Sequence, residues 1–362
     1  MNVPSSVSSS SRRIPQGHWL AALAAALVIL VLVVGAMEFR LAARGFEPTI
    51  VDSPGRWIEQ RARASALGEH ALILLGNSRM QLDLDTASIR SETRMTPVQL
   101  AIDGSSFVPI LAGLAKDPSI RGTVLIQYTD PPIAVGAIHD AAEEMQAAYD
   151  DAHIRIHLDY ATSEAFLTDA LHSHMRSYAD GTRPITALLD RILATRPTPQ
   201  YLVTLPDRSR AADYRKVTMP GWYFGRVIKN LGTEVRQPGM TDDELDTELQ
   251  RRITAIVPEK AARFDQGVDR IDAMVDAIQR RGGRVVFVVF PTSGLVRATD
   301  DARYPRARFW DRFAAHTTAT TLHFDDAPGL RTFKCPDGSH LDMRDKARFT
   351  TALVKAIGLG QR

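Results

Sequence analysis

ALILLGNSRM, residues 71–80, is an unbroken apolar run that stops at glycine, asparagine and serine. A run that is apolar at every position, rather than at alternate ones, is the pattern of a strand buried on both faces of a parallel sheet. Four further runs read the same way: PVQLAI (97–102), TVLIQY (123–128), RVVFVVF (284–290) and TLHFD (321–325). Helical spacing falls between them, in FVPILAGLAKD (107–117) and in FDQGVDRIDAMVDAIQRRGG (264–283), whose Gly282-Gly283 supplies a stop. KARFTTALVKAIG (346–358) closes the series. This alternation predicts an α/β fold with a doubly wound, mostly parallel, flavodoxin-like sheet of five strands.

The rest of the chain is organised around that domain, which spans 71–360. The stretch from about 133 to 260 is too long for a simple crossover and reads as a helical insertion capping a sheet edge. Residues 40–70, with RWIEQRARASALG inside them, read as a short helical neck. Residues 1–17 are polar and serine-rich and read as a disordered tail. Between tail and neck, 18–39 carries an apolar segment in which Trp19 to Met37 has no charge, long enough to cross a bilayer as a helix. A cleaved signal peptide is the competing reading. The run is long for a signal sequence, however, and Gly35-Ala36-Met37 is a poor cleavage site, so an uncleaved anchor is favoured. Arg12 and Arg13 on one flank are balanced by Arg40 and Arg44 on the other, so charge does not set the orientation.

Composition excludes several classes of function. The 362 residues carry a net charge of only +2, with no basic stripe, so no nucleic-acid partner is expected. Cys335 is the single cysteine, which rules out an intrachain disulfide and a cysteine metal cluster. His172 and His174 lack ligand spacing and read as surface residues, so no metal and no cofactor is expected. DDELDTELQRR (242–252) reads as a solvated helix face.

Two short segments carry candidate chemistry. If β-structure ends at Gly76, Ser78 stands at the carboxyl edge of the sheet, where open α/β sheets bind ligands. A helix starting at Asp83 or Asp85 would bring backbone N–H groups near an oxyanion. Gly76-Asn77-Ser78 also suits a plain strand-to-helix turn. Near the other end, CPDGSHLD (335–342) places Asp337 three residues before His340. His340 could serve Ser78 as general base while Asp337 holds the imidazole tautomer, although Asp-Gly-Ser is equally ordinary turn chemistry. Gly104, in IDGSS after the second strand, could offer an oxyanion donor together with the Ser78 N–H. Arg79 could steer an anionic polymer or pair with Asp83 or Asp85. Trp222 and Tyr223, in the insertion, could stack on sugar rings or simply plug a loop.

In combination, GNSR, IDGSS and DGSHLD resemble the SGNH (GDSL-like) hydrolase superfamily, over residues 70–130 and 284–358. The resemblance implies a nucleophile at Ser78, a base at His340, an orienting carboxylate at Asp337 and an oxyanion donor at Gly104. It departs at the third block. Thr129-Asp130-Pro131-Pro132 stands where the family has an asparagine, leaving Asn77 or a backbone N–H to substitute. The N-terminal anchor and the GxSR block look most like the membrane-attached branch that includes alginate O-acetylation and D-alanyl transfer proteins. By that resemblance the chain is a serine esterase or O-acyltransferase acting on acyl groups of an extracytoplasmic polysaccharide. Its expected partners are that polymer or its acyl donor, and a multi-pass membrane-bound O-acyltransferase. Its body then lies outside the cytoplasmic membrane, held by a single pass. The alternative is a non-catalytic scaffold or glycan-binding partner, which the missing asparagine favours.

Overall fold

The computed structural model describes residues 18–134, 140–152, 168, 170–232 and 234–360. Part of the insertion and the serine-rich tail (1–17) therefore lie outside the described residues. The central sheet has five strands: β1 Ala71–Leu75, β2 Thr96–Gln99, β3 Thr123–Gln127, β6 Arg284–Val289 and β7 Thr320–His323. A separate antiparallel pair is made by β4 Leu202–Thr204 and β5 Arg210–Ala212. The sheet order is β2-β1-β3-β6-β7, with every pairing parallel. The strand order reverses between β1 and β3, so a crevice opens beyond their carboxyl ends.

The continuous apolar runs have the two-sided burial that their pattern implies. Ile73, Leu75, Val124, Ile126, Val285 and Phe287 face one layer, whose helices are Pro54–Leu67, Val108–Lys116, Phe264–Gln279 and Trp310–His316. Leu72, Leu74, Leu125, Val286 and Val288 face the other, formed by Ser78–Asp83, Thr86–Glu92 and Lys346–Ala356. The stretch read as a neck belongs to the first layer. Its helix Pro54–Leu67 starts with a Ser53 cap and a proline, and it buries Trp57 fully, with the indole N–H donating to Leu100 O at 2.9 Å.

The described part of the insertion closes the β2 edge of the sheet and stacks beside the crevice. Arg208, fully buried, donates to Gln99 O at 2.6 Å and Ala101 O at 3.2 Å and pairs with Asp52. These bonds occupy backbone acceptors that an open sheet edge would expose. The helices Gly221–Leu231 and Asp242–Thr254 pack through Phe224, Val227, Leu245 and Leu249 onto Val296 of the helix Gly294–Arg303. The DDELDTELQRR segment is thus amphipathic rather than wholly solvated, and a capping box of Thr241 and Glu244 starts its helix.

The N-terminal helix Trp19–Ala43 stands apart from this body. An 18-residue stretch of it has a mean hydropathy of 2.9, and it is the one helix among the described residues long and apolar enough to cross a membrane. At 25 residues it measures about 38 Å. Among the described residues its last turns meet the body, where Met37 and Leu41, with Phe46 just beyond the helix, cluster with Ala187 and Ile192.

Candidate active site

β1 ends at Leu75, and Gly76 turns the chain with φ 146°. A side chain there would put its Cβ 2.8 Å from Gln127 Cβ, so only glycine fits. The Gln127 Oε1 accepts from Asn77 N–H at 3.3 Å, which ties the turn to the end of β3. Asn77 then caps the helix Ser78–Asp83, its side chain accepting from Arg79 N–H at 3.1 Å. The helix therefore starts at Ser78 itself rather than at Asp83 or Asp85. Asp85 caps the next helix, Thr86–Glu92, through Ser88 N–H. Ser78 occupies the first helical position, where an N–H has no intrahelical acceptor.

The loop 335–342 reaches the same edge from the far end of the chain. Gly338 lies at φ 82°, and a Cβ there would lie 2.5 Å from Val296, so the turn again requires glycine. Cys335 is a packing residue: it is buried, with its S–H donating to Pro291 O. His340 Nε2 lies 2.8 Å from Ser78 Oγ, and His340 Nδ1 lies 2.8 Å from Asp337 Oδ2. An ionised Asp337 fixes the proton on Nδ1, which leaves Nε2 to accept from the serine hydroxyl.

The electrostatics of these groups follow from their partners. Burial works against the Asp337 carboxylate. The hydrogen bond and charge of His340, with the N–H groups of Ser339 at 2.8 Å and His340 at 2.7 Å, outweigh it and hold its pKa well below the carboxylate range. Burial pushes the His340 imidazole below its usual value; Asp337 opposes this without cancelling it, and Arg226 and Arg79 add to the fall. The pair is thus an anionic carboxylate and a neutral imidazole at pH 7, while Ser78 is only half-buried and open to a ligand.

Several residues at this site have roles that the sequence reading does not assign. The Tyr214 hydroxyl donates to Asp337 Oδ2 at 2.9 Å, and Arg226 Nε lies 3.4 Å from the same oxygen. Both come from the insertion, where nothing in the local sequence marks them. Asp342 holds Tyr214 in place by accepting from its N–H at 3.0 Å. Asp83, fully buried behind the loop, accepts from Leu341 N–H at 2.9 Å. The first aspartate of QLDLD is conspicuous in the sequence, but its partner is 258 residues away.

The remaining expected residues are placed as follows. Gly104 sits in the loop leaving β2, at the same sheet edge, with φ 67°. Its neighbour Asp103 pairs with Arg210 at 2.9 Å and lies within electrostatic reach of His340. Arg79 does not pair with Asp83 or Asp85. It donates to Ser339 Oγ at 3.2 Å and meets Asp300 at 3.5 Å, because Asp83 is turned inward to Leu341 and Asp85 is used as a cap. Tyr223 is half-buried, and its hydroxyl accepts from Leu295 N–H at 2.6 Å, so it anchors a helix. Trp222 keeps 37% exposure and packs edge-on against Tyr201. With Tyr201, Arg226 and Lys229 it lines an open cleft of about 360 Å³ beside the triad. At the end of β3, Tyr128 donates to Asp130 at 2.8 Å, and burial raises the Asp130 pKa to about 7. Asp130, Asn77 and Arg79 line a second cavity of about 240 Å³.

No family model and no curated protein matches this chain. The function is therefore read from the geometry: a hydroxyl, a neutral imidazole and a buried carboxylate in hydrogen-bond sequence can generate a serine nucleophile.

Proposed function

We propose that the protein is a membrane-anchored serine esterase or O-acyltransferase of the SGNH type, built on a doubly wound sheet. It acts on acyl groups of an extracytoplasmic polysaccharide. The observation that carries this reading is the hydrogen-bonded series Ser78–His340–Asp337, with both links at 2.8 Å. His340 Nε2 takes the Ser78 proton as Oγ attacks the acyl carbonyl, and Asp337 stabilises the imidazolium that forms. The N–H groups of Ser78 and Gly104 receive the oxyanion. Collapse expels the alcohol, which takes its proton from Nε2 and leaves an acyl-serine. Water or a sugar hydroxyl then attacks, giving hydrolysis or transfer. The cleft of Tyr201, Trp222, Arg226 and Lys229 offers an aromatic wall for a glycan acceptor, and its cations suit an acidic one. Acyl transfer on such a polymer places the body on the outer side of the cytoplasmic membrane, with a multi-pass acyltransferase as the natural source of acyl groups.

Ser78→Ala tests the reading directly. Turnover of p-nitrophenyl acetate is expected to fall by at least about a thousandfold, with labelling by a fluorophosphonate lost and the circular dichroism spectrum unchanged. Unchanged turnover would refute the assignment. A second reading, a non-catalytic glycan-binding scaffold, draws on Asp130 standing where the third oxyanion donor is expected. A folded wild-type protein that is never labelled at Ser78 would favour it.

A further inference from the structure

A ridge of exposed leucine and isoleucine side chains lies beside the point where the N-terminal helix meets the body. The helix Pro184–Ala187 runs on into a wider helical turn, Leu188–Leu193. Its inward side, Ala187 and Ile192, packs on Met37 and Leu41 of the helix Trp19–Ala43. Further bonds hold the end of the span to this part of the body. Arg44 donates to Arg191 O at 2.9 Å and Ala194 O at 3.2 Å, and Glu38 accepts from the N–H groups of Arg176 and Ser177 at 2.8 and 2.9 Å. The outward side carries Ile185, Leu189 and Leu193, which are 73%, 55% and 64% exposed, with Leu188 between them.

Two features identify what covers this ridge. The first is level. The uncharged span ends at Met37, and Met37 and Leu41 share one hydrophobic cluster with Ala187 and Ile192, so the ridge is held at the depth where the span leaves the hydrocarbon. The second is charge. Arg183 and Arg196 flank the ridge and are exposed, as is Arg40 in the last turn of the span, so cations outnumber the ridge's own exposed carboxylate, Asp190. Apolar side chains rimmed by arginines suit the boundary between acyl chains and anionic headgroups. A cluster of this kind is otherwise unusual on a surface facing water.

We propose that the stretch 184–193 is an interfacial membrane-contact element that seats its leucines in the bilayer beside the span and fixes the tilt of the body over the membrane. This inference rests on the reading of Trp19–Ala43 as a membrane span, and its test separates the two. The full chain carrying L189C or L193C is labelled with an NBD fluorophore and reconstituted into vesicles of phosphatidylcholine and phosphatidylglycerol. Cys335, the single native cysteine, is buried and stays unlabelled. Controls are L27C, within the span, and V257C, at a body residue 83% exposed. Doxyl-labelled lipid is expected to quench positions 189 and 193 at least about twofold more than 257, while iodide in solution quenches 257 more than either. Quenching at 27 by deep doxyl lipid, with 189 and 193 behaving like 257, would overturn the ridge and leave the anchor standing. Absence of lipid quenching at 27 would overturn both.

Discussion

Two buried aspartates brace the loop that delivers His340, and they end in opposite charge states. Asp337 and Asp83 are both fully buried. Asp337 receives the Nδ1–H of His340, two backbone N–H groups and the Tyr214 hydroxyl, with Arg226 close by, and it stays ionised. Burial dominates at Asp83. The N–H of Leu341 and the charge of Arg79 oppose it incompletely, the Asp337 charge adds to it, and the pKa rises to about 8. Its Oδ2 has no hydrogen-bond partner among the described residues. The contrast shows that depth alone does not decide whether a carboxylate is charged; the number of donors aimed at it does. The ionised one can stabilise an imidazolium, whereas the neutral one can only hold backbone.

The largest expected effect comes from erasing the charge at the first site. Asp337→Asn keeps the shape, but its amide can donate to Nδ1, favouring the tautomer whose Nε2 carries the proton and cannot accept from Ser78. By analogy with the serine-protease triad, kcat is expected to fall by about four orders of magnitude with little change in KM. Asp83→Asn, the same substitution at the neutral site, is expected to leave kcat within about fivefold, since an amide oxygen can still accept from Leu341 N–H. Equal losses in the two variants, measured with the same acetyl ester, would break the contrast.

Legibility in the sequence follows the same division between local and distant partners. The sheet is readable because two-sided burial leaves continuous apolar runs, and Ser78 because a glycine-asparagine-serine stop ends the first of them. Asp337 and His340 are readable because one short loop carries both. Tyr214 and Arg226 are not: each lies in an insertion of irregular pattern, and its partner is more than a hundred positions away. Arg79 invites pairing with nearby carboxylates for the same reason, when its partner Asp300 is 221 positions away. Tyr223 goes with Trp222 by adjacency, yet neighbouring helical residues point in different directions, one to the cleft and one to Leu295.

Stability against pH sharpens the contrast next. Folded Asp83 keeps its proton up to about pH 8, whereas an unfolded aspartate releases it near 3.8. Between those values the unfolded chain binds fewer protons at this site, so raising the pH destabilises the fold. At about 1.4 kcal/mol for each pH unit crossed, the change amounts to several kcal/mol over that window. Asp337 acts with the opposite sign: its contribution is present above pH 3.8 and is lost as pH falls toward its depressed folded value. Urea denaturation of wild type and Asp83→Asn from pH 4.5 to 8 is expected to show a flatter profile in the variant. Parallel profiles would mean that Asp83 is ionised in the fold.

The smallest expected effect tests whether the donors around Asp337 are shared out or dominated by one. Tyr214→Phe removes a single hydroxyl donor, while the two backbone N–H groups and Arg226 remain. The carboxylate should stay ionised and kcat should drop only about three- to tenfold. With one donor gone, more of the Asp337 charge falls on His340. The imidazole pKa, held low by burial, should rise, and the acid limb of kcat/KM should move to higher pH. A hydroxyl that served only to pack the insertion would leave that limb where it was. A loss as large as that of Asp337→Asn would instead mean that Tyr214 alone keeps the carboxylate charged.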